Sequence, residues 1–301
     1  MTLPTPLESF DAPSGRTVYL KREDVHELGA FKWRGALPTV EAYRNRGASA
    51  VVTASTGNHG AAVAWSGRRV GLGAIVYAPE GASRAKLELI AAQGAEVRLT
   101  GRDLDAAKEE GVRFAAKSAA PFFEDGAEQT QYDGYSWIAD EVLGQMGTPP
   151  STLLVPVGNG ALICGIGQGL QRRGATTLLV GVAAKEAPVM ADSYRARRPV
   201  GSGRMATFAD GLAVRVAIPA AVERVNAVVN RMLVVSERAM ARAIGDYAKA
   251  GIRAEGAAAA ALAALPQLDH VPGDIVLLVT GRNIDEELYR RALDDPESFP
   301  D

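Results

Sequence analysis

Short apolar runs alternate along this chain with segments of helical period, and this alternation limits the possible folds more than any other feature. Strands predicted at 50–54, 73–77 and 95–99 are each followed by a helical stretch, and a second series extends from 152–157 to 275–279. A strand that returns to a parallel neighbour needs a crossover, which is usually a helix. Continuously apolar strands are typical of sheets that are covered on both faces. The pattern therefore predicts an α/β protein with mostly parallel sheets.

The two series of strands and helices predict two lobes. The chain has 301 residues, which is long enough for two domains. We assign residues 45–125 to a small lobe, and residues 1–44 and 126–301 to a large lobe. Each lobe is expected to contain a mostly parallel sheet flanked by helices.

Composition and charge exclude several classes of protein. The 33 basic and 35 acidic side chains give a net charge of −2, which provides no strong attraction to nucleic acid or to an anionic membrane. The sole cysteine, Cys164, excludes a disulfide framework and a cysteine zinc site. His26, His59 and His270 lie far apart in sequence, so we expect no metal site. The N-terminus lacks the features of a signal peptide, and no apolar segment reaches the ~20 residues that span a bilayer, so we expect a cytoplasmic protein.

Ligands of open α/β sheets bind beyond the carboxyl ends of the strands. Three strand ends lead here into loops of small, hydrogen-bonding residues, at 55–60, 158–161 and 280–283. The glycines and the helix start at 158–161 favour an anion site, most naturally for a phosphate, although a tight turn without a ligand explains this loop equally well. The polar cluster at 55–60 can hold a carboxylate, and a helix cap by Ser55 or Thr56 is the alternative.

Lys32 is the candidate reactive amine. It is flanked by apolar Phe31 and Trp33, which could withdraw the amine from water and make it nucleophilic. A solvated lysine on a helix is the ordinary alternative.

Together these segments resemble the pyridoxal-phosphate enzymes of the tryptophan-synthase β fold, also called fold type II, in their threonine dehydratase and serine racemase branch. The resemblance covers nearly the whole chain, with the motifs in family order. Segments 20–24 and 29–36 resemble the family's Schiff-base segment, 53–60 its substrate loop and 155–162 its phosphate loop, and 209–214 and 254–257 match further family segments.

The resemblance implies pyridoxal 5′-phosphate as cofactor and gives each candidate residue a role. Lys32 would form the Schiff base and move protons at the substrate Cα, with Thr56 as a second catalytic candidate. The implied cofactor contacts are Phe31 near the ring, Asn58 at the phenolic oxygen, Gly158, Asn159, Gly160, Ala161 and Leu162 at the phosphate, Gly211 in the ring pocket, and Thr280 at the pyridine nitrogen. The implied substrate contacts are Ser55, Thr56, Asn58 and His59. A homodimer is the family-level expectation.

The expected reaction is elimination of the β substituent of a small β-hydroxy amino acid, which gives a 2-oxo acid and ammonia. A hydroxyl at Thr280, in place of a carboxylate, makes the cofactor ring a weaker electron sink and suits β-elimination better than transamination. Biosynthetic threonine dehydratases carry a further regulatory domain, and because this sequence ends at Asp301 we expect none here.

Several positions depart from the dehydratase pattern and keep alternatives open. Asn159 is closer to the threonine synthases, which perform β- or γ-replacement, and Thr56 stands where related racemases carry serine. Arg282 replaces a glycine and is either packed against the protein or pairs with a second acidic group of the substrate, as in 3-hydroxyaspartate. Glu186 and Asp192 are possible oxygen ligands, but we predict no metal. A non-catalytic cofactor-binding protein and, more distantly, a dinucleotide oxidoreductase are the remaining alternatives.

Overall fold

The computed structural model describes residues 3–201, 203, 205–268 and 271–301. Within these ranges the chain forms nine β-strands and eleven α-helices. The strands are β1 (Leu7–Asp11), β2 (Thr17–Arg22), β3 (Ala50–Ala54), β4 (Gly73–Ala78), β5 (Glu96–Leu99), β6 (Thr152–Pro156), β7 (Leu178–Ala184), β8 (Arg231–Val235) and β9 (Ile275–Val279). The helices are α1 (Trp33–Asn45), α2 (Asn58–Val70), α3 (Arg84–Ala92), α4 (Leu104–Ser118), α5 (Gln129–Met146), α6 (Ala161–Arg172), α7 (Val189–Ala196), α8 (Pro219–Val228), α9 (Glu237–Lys249), α10 (Gly256–Ala263) and α11 (Glu286–Asp294).

The larger of two compact units comprises Met1–Phe31 and Tyr135–Asp301 and contains a six-stranded sheet. The strand order is β1-β2-β9-β6-β7-β8, in which β1 is antiparallel to β2 and the other neighbours are parallel. All five residues of the central strand β9 are buried. Each such Val, Leu or Ile contributes about 1.5–3 kcal/mol on burial, so this strand is a principal part of the core.

The helix α10 covers this sheet with very small side chains. Its residues from Gly256 to Leu262 are all buried, and it packs against α9, β6 and β9. The distance between packed elements depends on the side chains at their contact, so alanines permit a close approach. The close packing places the segment before α10 beside the end of β9, where the amide of Glu255 donates to the carbonyl oxygen of Gly281 at 3.0 Å.

The smaller unit comprises Lys32–Gly134 and contains the parallel sheet β3-β4-β5. Helix α1 packs against α2, and α4 packs against β3 and β4. The segment after α4 runs alongside β3, because the amide of Phe123 donates to the carbonyl oxygen of Val52 at 2.7 Å and Val52 forms a parallel bridge with Phe122. This pairing carries the next residues toward the loop that follows β3.

The parallel sheets flanked by helices confirm the predicted α/β class. The lobe boundaries at 44/45 and 125/126 remain a prediction about domains, and the compact units divide at 31/32 and 134/135. The helix α1 falls in the smaller unit because it packs on α2. Over the ranges that the structure describes, each helix is too short or too polar to pass through a bilayer.

Candidate active site

Lys32 lies immediately before α1, and its side chain meets a carboxylate of the same unit. Its Nζ donates a hydrogen bond to Asp125 Oδ2 at 2.5 Å, and the two groups form an ion pair. Only 16% of the Lys32 side chain is exposed, and the next residue, Trp33, is buried. The amine is therefore largely withdrawn from water.

Asp125 is held by its own segment as well as by Lys32. The Gln131 side-chain amide donates to Asp125 Oδ1 at 2.6 Å, and Gln131 Oε1 accepts from the amide of Gly126 at 2.7 Å. Burial on its own raises the pKa of Asp125, but the Lys32 ammonium and the hydrogen bonds from Lys32 and Gln131 outweigh burial and hold that pKa well below its usual range. Asp125 is therefore a carboxylate at neutral pH.

Sequence reasoning missed Asp125. It lies 93 residues after Lys32, and it reaches the lysine only because the segment before it pairs with β3. The signal in the sequence is an acidic pair, Glu124 and Asp125, directly after two phenylalanines. An acidic pair at a turn is usually a solvated surface, so this signal alone does not distinguish Asp125.

His59 is a buried, neutral imidazole. The Thr53 hydroxyl donates to the carbonyl oxygen of Phe123 at 2.8 Å, and His59 Nε2 lies 3.1 Å from the same hydroxyl oxygen. Because the Thr53 proton is already used, we assign the proton of the ring to His59 Nε2. Burial lowers the pKa of His59, although Asp125 opposes this shift. The unprotonated Nδ1 faces Asp125 Oδ1 at 3.7 Å, which is too long for a hydrogen bond.

The loop between β3 and α2 is held by the hydroxyl of Ser55. Ser55 Oγ accepts hydrogen bonds from the amides of Gly57 at 3.1 Å and Gly60 at 3.0 Å, although Gly57 occupies the N-cap position of α2. Thr56 and Asn58 are half-buried. The residues predicted to bind the substrate carboxylate thus share the start of one helix: Ser55, Thr56, Asn58 and His59.

In the larger unit, the loop 158–161 forms a backbone cradle at the start of α6. Gly160 has a φ of 88°, a conformation that favours glycine. A Cβ on Gly158 would lie 2.3 Å from the carbonyl oxygen of Gly211, so only glycine fits there. Asn159 Oδ1 accepts from the amide of Ala161 at 3.0 Å. The other amides of the first helical turn have no acceptor within the helix, and together with the helix dipole they suit an anion.

Gly211 extends this cradle on the side of α10. A Cβ on Gly211 would lie 2.9 Å from the Cβ of Ala257, so the backbone passes close to the alanine-rich helix. Leu162, in the first turn of α6, is buried. The structure thus brings together the predicted phosphate-loop residues and Gly211.

Thr280 directly follows β9 and carries an unpaired buried hydroxyl. The residue is 2% exposed, and within the described residues its Oγ1 has no hydrogen-bond partner. Buried hydroxyls are almost always hydrogen-bonded, so a ligand atom is the natural partner. Because β9 and β6 are parallel neighbours, Thr280 and the loop 158–161 leave the same edge of the sheet. The amide of Phe31, the predicted ring neighbour, donates to the Thr280 carbonyl oxygen at 3.0 Å.

Arg282 lies two residues further along this strand end. Its amide donates to the carbonyl oxygen of Gly29 at 2.8 Å, and the side chain is half-buried. Its guanidinium forms no ion pair or hydrogen bond with any residue that the structure describes. A partly buried guanidinium normally finds an acceptor, so Arg282 is available for one.

The described ranges contain no group of three or more His, Cys, Asp or Glu side chains arranged to hold a metal ion. Asp192, one of the two oxygen ligands considered, pairs with Arg195 at 3.1 Å. His270 lies outside the described residues.

These groups fit the chemistry of pyridoxal phosphate. An amine such as that of Lys32 can bind its aldehyde. Backbone amides such as those of the loop 158–161 suit its phosphate, and a hydroxyl such as the unpaired one of Thr280 suits its ring nitrogen.

The chain is similar to known proteins in sequence and in fold. The family model of pyridoxal-phosphate dependent enzymes matches residues 2–281. The biosynthetic L-threonine dehydratase of Mycobacterium bovis is 35% identical over 310 residues, which cover 97% of this chain and 70% of the relative. The L-threonine ammonia-lyase of Thermotoga maritima is 32% identical over 286 residues, which cover 93% and 70%. The processed threonine deaminase isoform 2 of Solanum lycopersicum has a TM-score of 0.90 at 25% identity, covering 99% and 89%.

These matches confirm the resemblance that the motifs indicated, and they confirm pyridoxal 5′-phosphate as the cofactor. The chain belongs to the pyridoxal-phosphate-dependent enzymes and is a lyase of that family.

Proposed function

We propose that this lyase removes the β-hydroxyl group of a small β-hydroxy amino acid and releases a 2-oxo acid and ammonia. The relatives named as threonine dehydratase, ammonia-lyase and deaminase support this reaction. Threonine and serine are accordingly the substrates to test first.

The observation that carries the proposal is the unpaired hydroxyl of Thr280. When bound, pyridoxal phosphate supplies an electron sink for the electrons of a bond broken at the substrate Cα. Thr280 would offer the ring nitrogen a neutral hydroxyl, which is too weak an acid to keep that nitrogen protonated. Loss of a β leaving group from the substrate would then be favoured. The hydroxyl therefore favours elimination over transamination.

The other residues bind, orient or move a proton. Lys32 binds the cofactor and takes the proton from the substrate Cα. The loop 158–161 binds the phosphate, with Leu162, Gly211, Phe31 and Asn58 as further cofactor contacts. Ser55, Thr56, Asn58 and His59 hold the substrate carboxylate, and Thr56 is the candidate second proton donor.

The test is an assay of the purified holoenzyme against serine, threonine and other β-substituted amino acids, with oxo acid and ammonia as readouts. Lys32→Ala should lower the rate by about 100-fold or more, the range expected for a lost acid–base group. Lys108→Ala is the matched control, because Lys108 is also paired with a carboxylate, Glu124, in the smaller unit. A wild type that releases no oxo acid or ammonia from any of these substrates would support the non-catalytic alternative, whereas equal activity of an active wild type and Lys32→Ala would reject Lys32 as the catalytic amine.

The same assay separates the rival reactions. Release of oxo acid and ammonia without an added nucleophile counts against the threonine-synthase-like replacement that Asn159 suggested. Conversion of the substrate to its enantiomer, measured by chiral chromatography, would indicate a racemase.

Arg282 is proposed as a substrate contact. Its free guanidinium suits a bidentate bond with a second carboxylate, as in 3-hydroxyaspartate. Arg282→Gly should therefore raise KM for 3-hydroxyaspartate at least about tenfold, the loss expected for a charge-assisted hydrogen bond, and change serine and threonine much less. An equal loss on all three substrates would reject this role.

We also propose that the chain acts as a cytoplasmic homodimer, on the basis of the family resemblance. Sedimentation velocity of the holoenzyme tests the assembly, and a monomer at micromolar concentration would contradict it.

A further inference from the structure

The carboxylate of Asp125 has no role in the reaction as described so far, yet it accepts a hydrogen bond from Lys32, the amine on which the proposed reaction depends. Its Oδ2 accepts from Lys32 Nζ at 2.5 Å, while its Oδ1 accepts from Gln131 at 2.6 Å. The carboxylate is therefore fixed at one oxygen by the protein and presents the other to the lysine. This arrangement determines where the amine lies when it is not bonded to the cofactor.

Neither Glu124 nor His59 disrupts the pair of Lys32 and Asp125. The adjacent acid, Glu124, pairs with a different lysine, Lys108. The facing nitrogen of His59 carries no proton and lies 3.7 Å away, so it does not compete as a donor. The Asp125 side chain is 26% exposed, so its interaction with an ammonium is less screened than that of a surface pair.

We propose that Asp125 is a positioning residue for Lys32, which holds and orients the ε-ammonium that forms when Lys32 takes the proton from the substrate Cα. This inference rests on the proposed function. In the step, the Cα–H bond breaks, its electron pair remains on the substrate side, and the proton forms a new N–H bond on Lys32. The neutral amine becomes a cation, and Asp125 is the anion already within hydrogen-bond distance. Asp125 itself takes no proton.

Stability alone is a weak reason for this pair. A buried ion pair is often no more stabilising than apolar residues of similar size, because both charges lose their hydration. The ammonium of Lys32 that develops during the reaction is a different case. The Asp125 carboxylate is already in place and can stabilise this charge without reorganisation of the protein. The pair is therefore expected to affect the proton transfer more than it affects folding.

The first test uses the cofactor-free protein. Asp125→Asn keeps the shape of the side chain and removes its charge, so Lys32 should react with acetic anhydride at least about threefold faster at pH 8, as judged by peptide mass spectrometry. Glu124→Gln is the matched control and should speed labelling of Lys108 without changing Lys32. Equal labelling of Lys32 in the wild type and Asp125→Asn would overturn the inference.

The second test measures the proton transfer in the holoenzyme. L-Alanine has no β leaving group, so exchange of its Cα hydrogen in deuterated water, followed by NMR, reports only this step. Asp125→Asn should slow the exchange at least about tenfold, whereas Asp125→Glu, which restores the charge, should recover part of the rate. With serine or threonine, kcat should fall more than KM changes, and the isotope effect of α-deuterated substrate should rise.

The outcomes separate this inference from the proposed function. If the wild type exchanges the Cα hydrogen but releases no oxo acid, the lyase proposal fails and the role of Asp125 is still decided by the exchange rates. If Asp125→Asn exchanges as fast as the wild type, the inference is wrong. If Asp125→Asn fails to fold, a normal exchange rate in Gln131→Leu, which loses the amide that holds Asp125, would overturn it instead.

Discussion

The unpaired hydroxyl of Thr280 is unfavourable for folding, and a hydrogen bond to a bound cofactor can compensate for it. A buried hydroxyl without a partner loses its hydrogen bonds to water and gains none in exchange. The protein keeps this group at the end of a fully buried strand, where an apolar residue would serve folding equally well. We therefore expect the Thr280 hydroxyl to contribute to cofactor binding.

Thr280→Val tests whether the hydroxyl serves cofactor binding rather than folding, because valine has the same shape and lacks the hydroxyl. The free energy of unfolding of the cofactor-free protein should stay the same or rise by about 1 kcal/mol, since the unpaired group is gone. The Kd for pyridoxal phosphate should rise about tenfold, since a hydrogen bond is lost. Urea titration and absorbance titration measure the two quantities.

Thr280→Ser is the control for that substitution. It keeps the hydroxyl, so its Kd should remain close to that of the wild type. A Thr280→Val protein that binds the cofactor as tightly as the wild type would show that the hydroxyl has a different partner.

At the scale of single residues, the sequence predicts Lys32 as the reactive amine but does not indicate its partner, Asp125. The motif around Lys32 is one continuous segment of the chain, so it can be recognised from the sequence alone. The pair with Asp125 depends on a strand contact made by Val52 and Phe123, and no local pattern encodes a contact between such distant segments. Partners across long sequence separations are fixed by topology.

At the scale of elements, the phosphate loop depends on two stretches of backbone that touch. Gly158→Ala would place a Cβ 2.3 Å from the carbonyl oxygen of Gly211, and this backbone atom cannot shift without disturbing its own segment. We expect a loss of unfolding free energy of about 1–3 kcal/mol, as for other overpacked sites, and a weaker cofactor affinity. Thermal denaturation and cofactor titration check both.

Gly144→Ala provides the comparison within a helix of the same protein. Gly144 lies in α5, where a Cβ would meet no atom within 4 Å, so this substitution should stabilise the protein by about 0.5–1 kcal/mol. If both alanine variants behave alike, close approach of the two loops is not what requires glycine at position 158.

Most of the strands that the sequence analysis predicted are apolar, and β2 shows why a charged strand was missed. This strand ends in Lys21 and Arg22, which read as surface residues. Lys21 is nevertheless fully buried, because its Nζ donates to Glu141 at 2.6 Å and to Gln145 at 2.9 Å. A strand whose charges are neutralised by a distant helix cannot be recognised from its own hydrophobic pattern.

At the scale of the whole molecule, alternation of strands and helices was enough to predict the α/β class, because each parallel strand needs its crossover. The place of β9 in the middle of its sheet was not predictable in the same way. It pairs with β2 on one side and β6 on the other, and these strands lie far apart in the chain. Such pairings arise when separate segments bury their apolar faces together.

Glu237 links the stability of the whole chain to pH. It begins α9, is 1% exposed, and its Oε2 accepts from the hydroxyl of Thr207 at 2.9 Å and the amide of Phe208 at 3.0 Å. Burial raises its pKa above the ordinary value of 4.5, and those hydrogen bonds only partly oppose the shift. The folded state therefore binds this proton more tightly than the unfolded state does.

The sign of the pH dependence follows from that difference. Below an ordinary carboxyl pKa of about 4.5 both states are protonated and Glu237 costs nothing. As the pH rises through the interval between the unfolded and the raised folded pKa, the unfolded state loses its proton first and the protein loses stability. Above the folded pKa the full cost of burying the carboxylate remains.

Glu237→Gln should remove this cost, since glutamine can still accept from Thr207 and Phe208 and carries no charge. Its unfolding free energy relative to the wild type should therefore rise as the pH increases from about 4 to 8, measured by urea denaturation at each pH. The exposed carboxyl Glu223, in α8, provides the control, because Glu223→Gln also removes one carboxyl but does so at the surface. Parallel curves for Glu237→Gln and the wild type would mean that this carboxyl titrates in the folded protein as it does in the unfolded chain, and the start of α9 would then be better solvated than its burial implies.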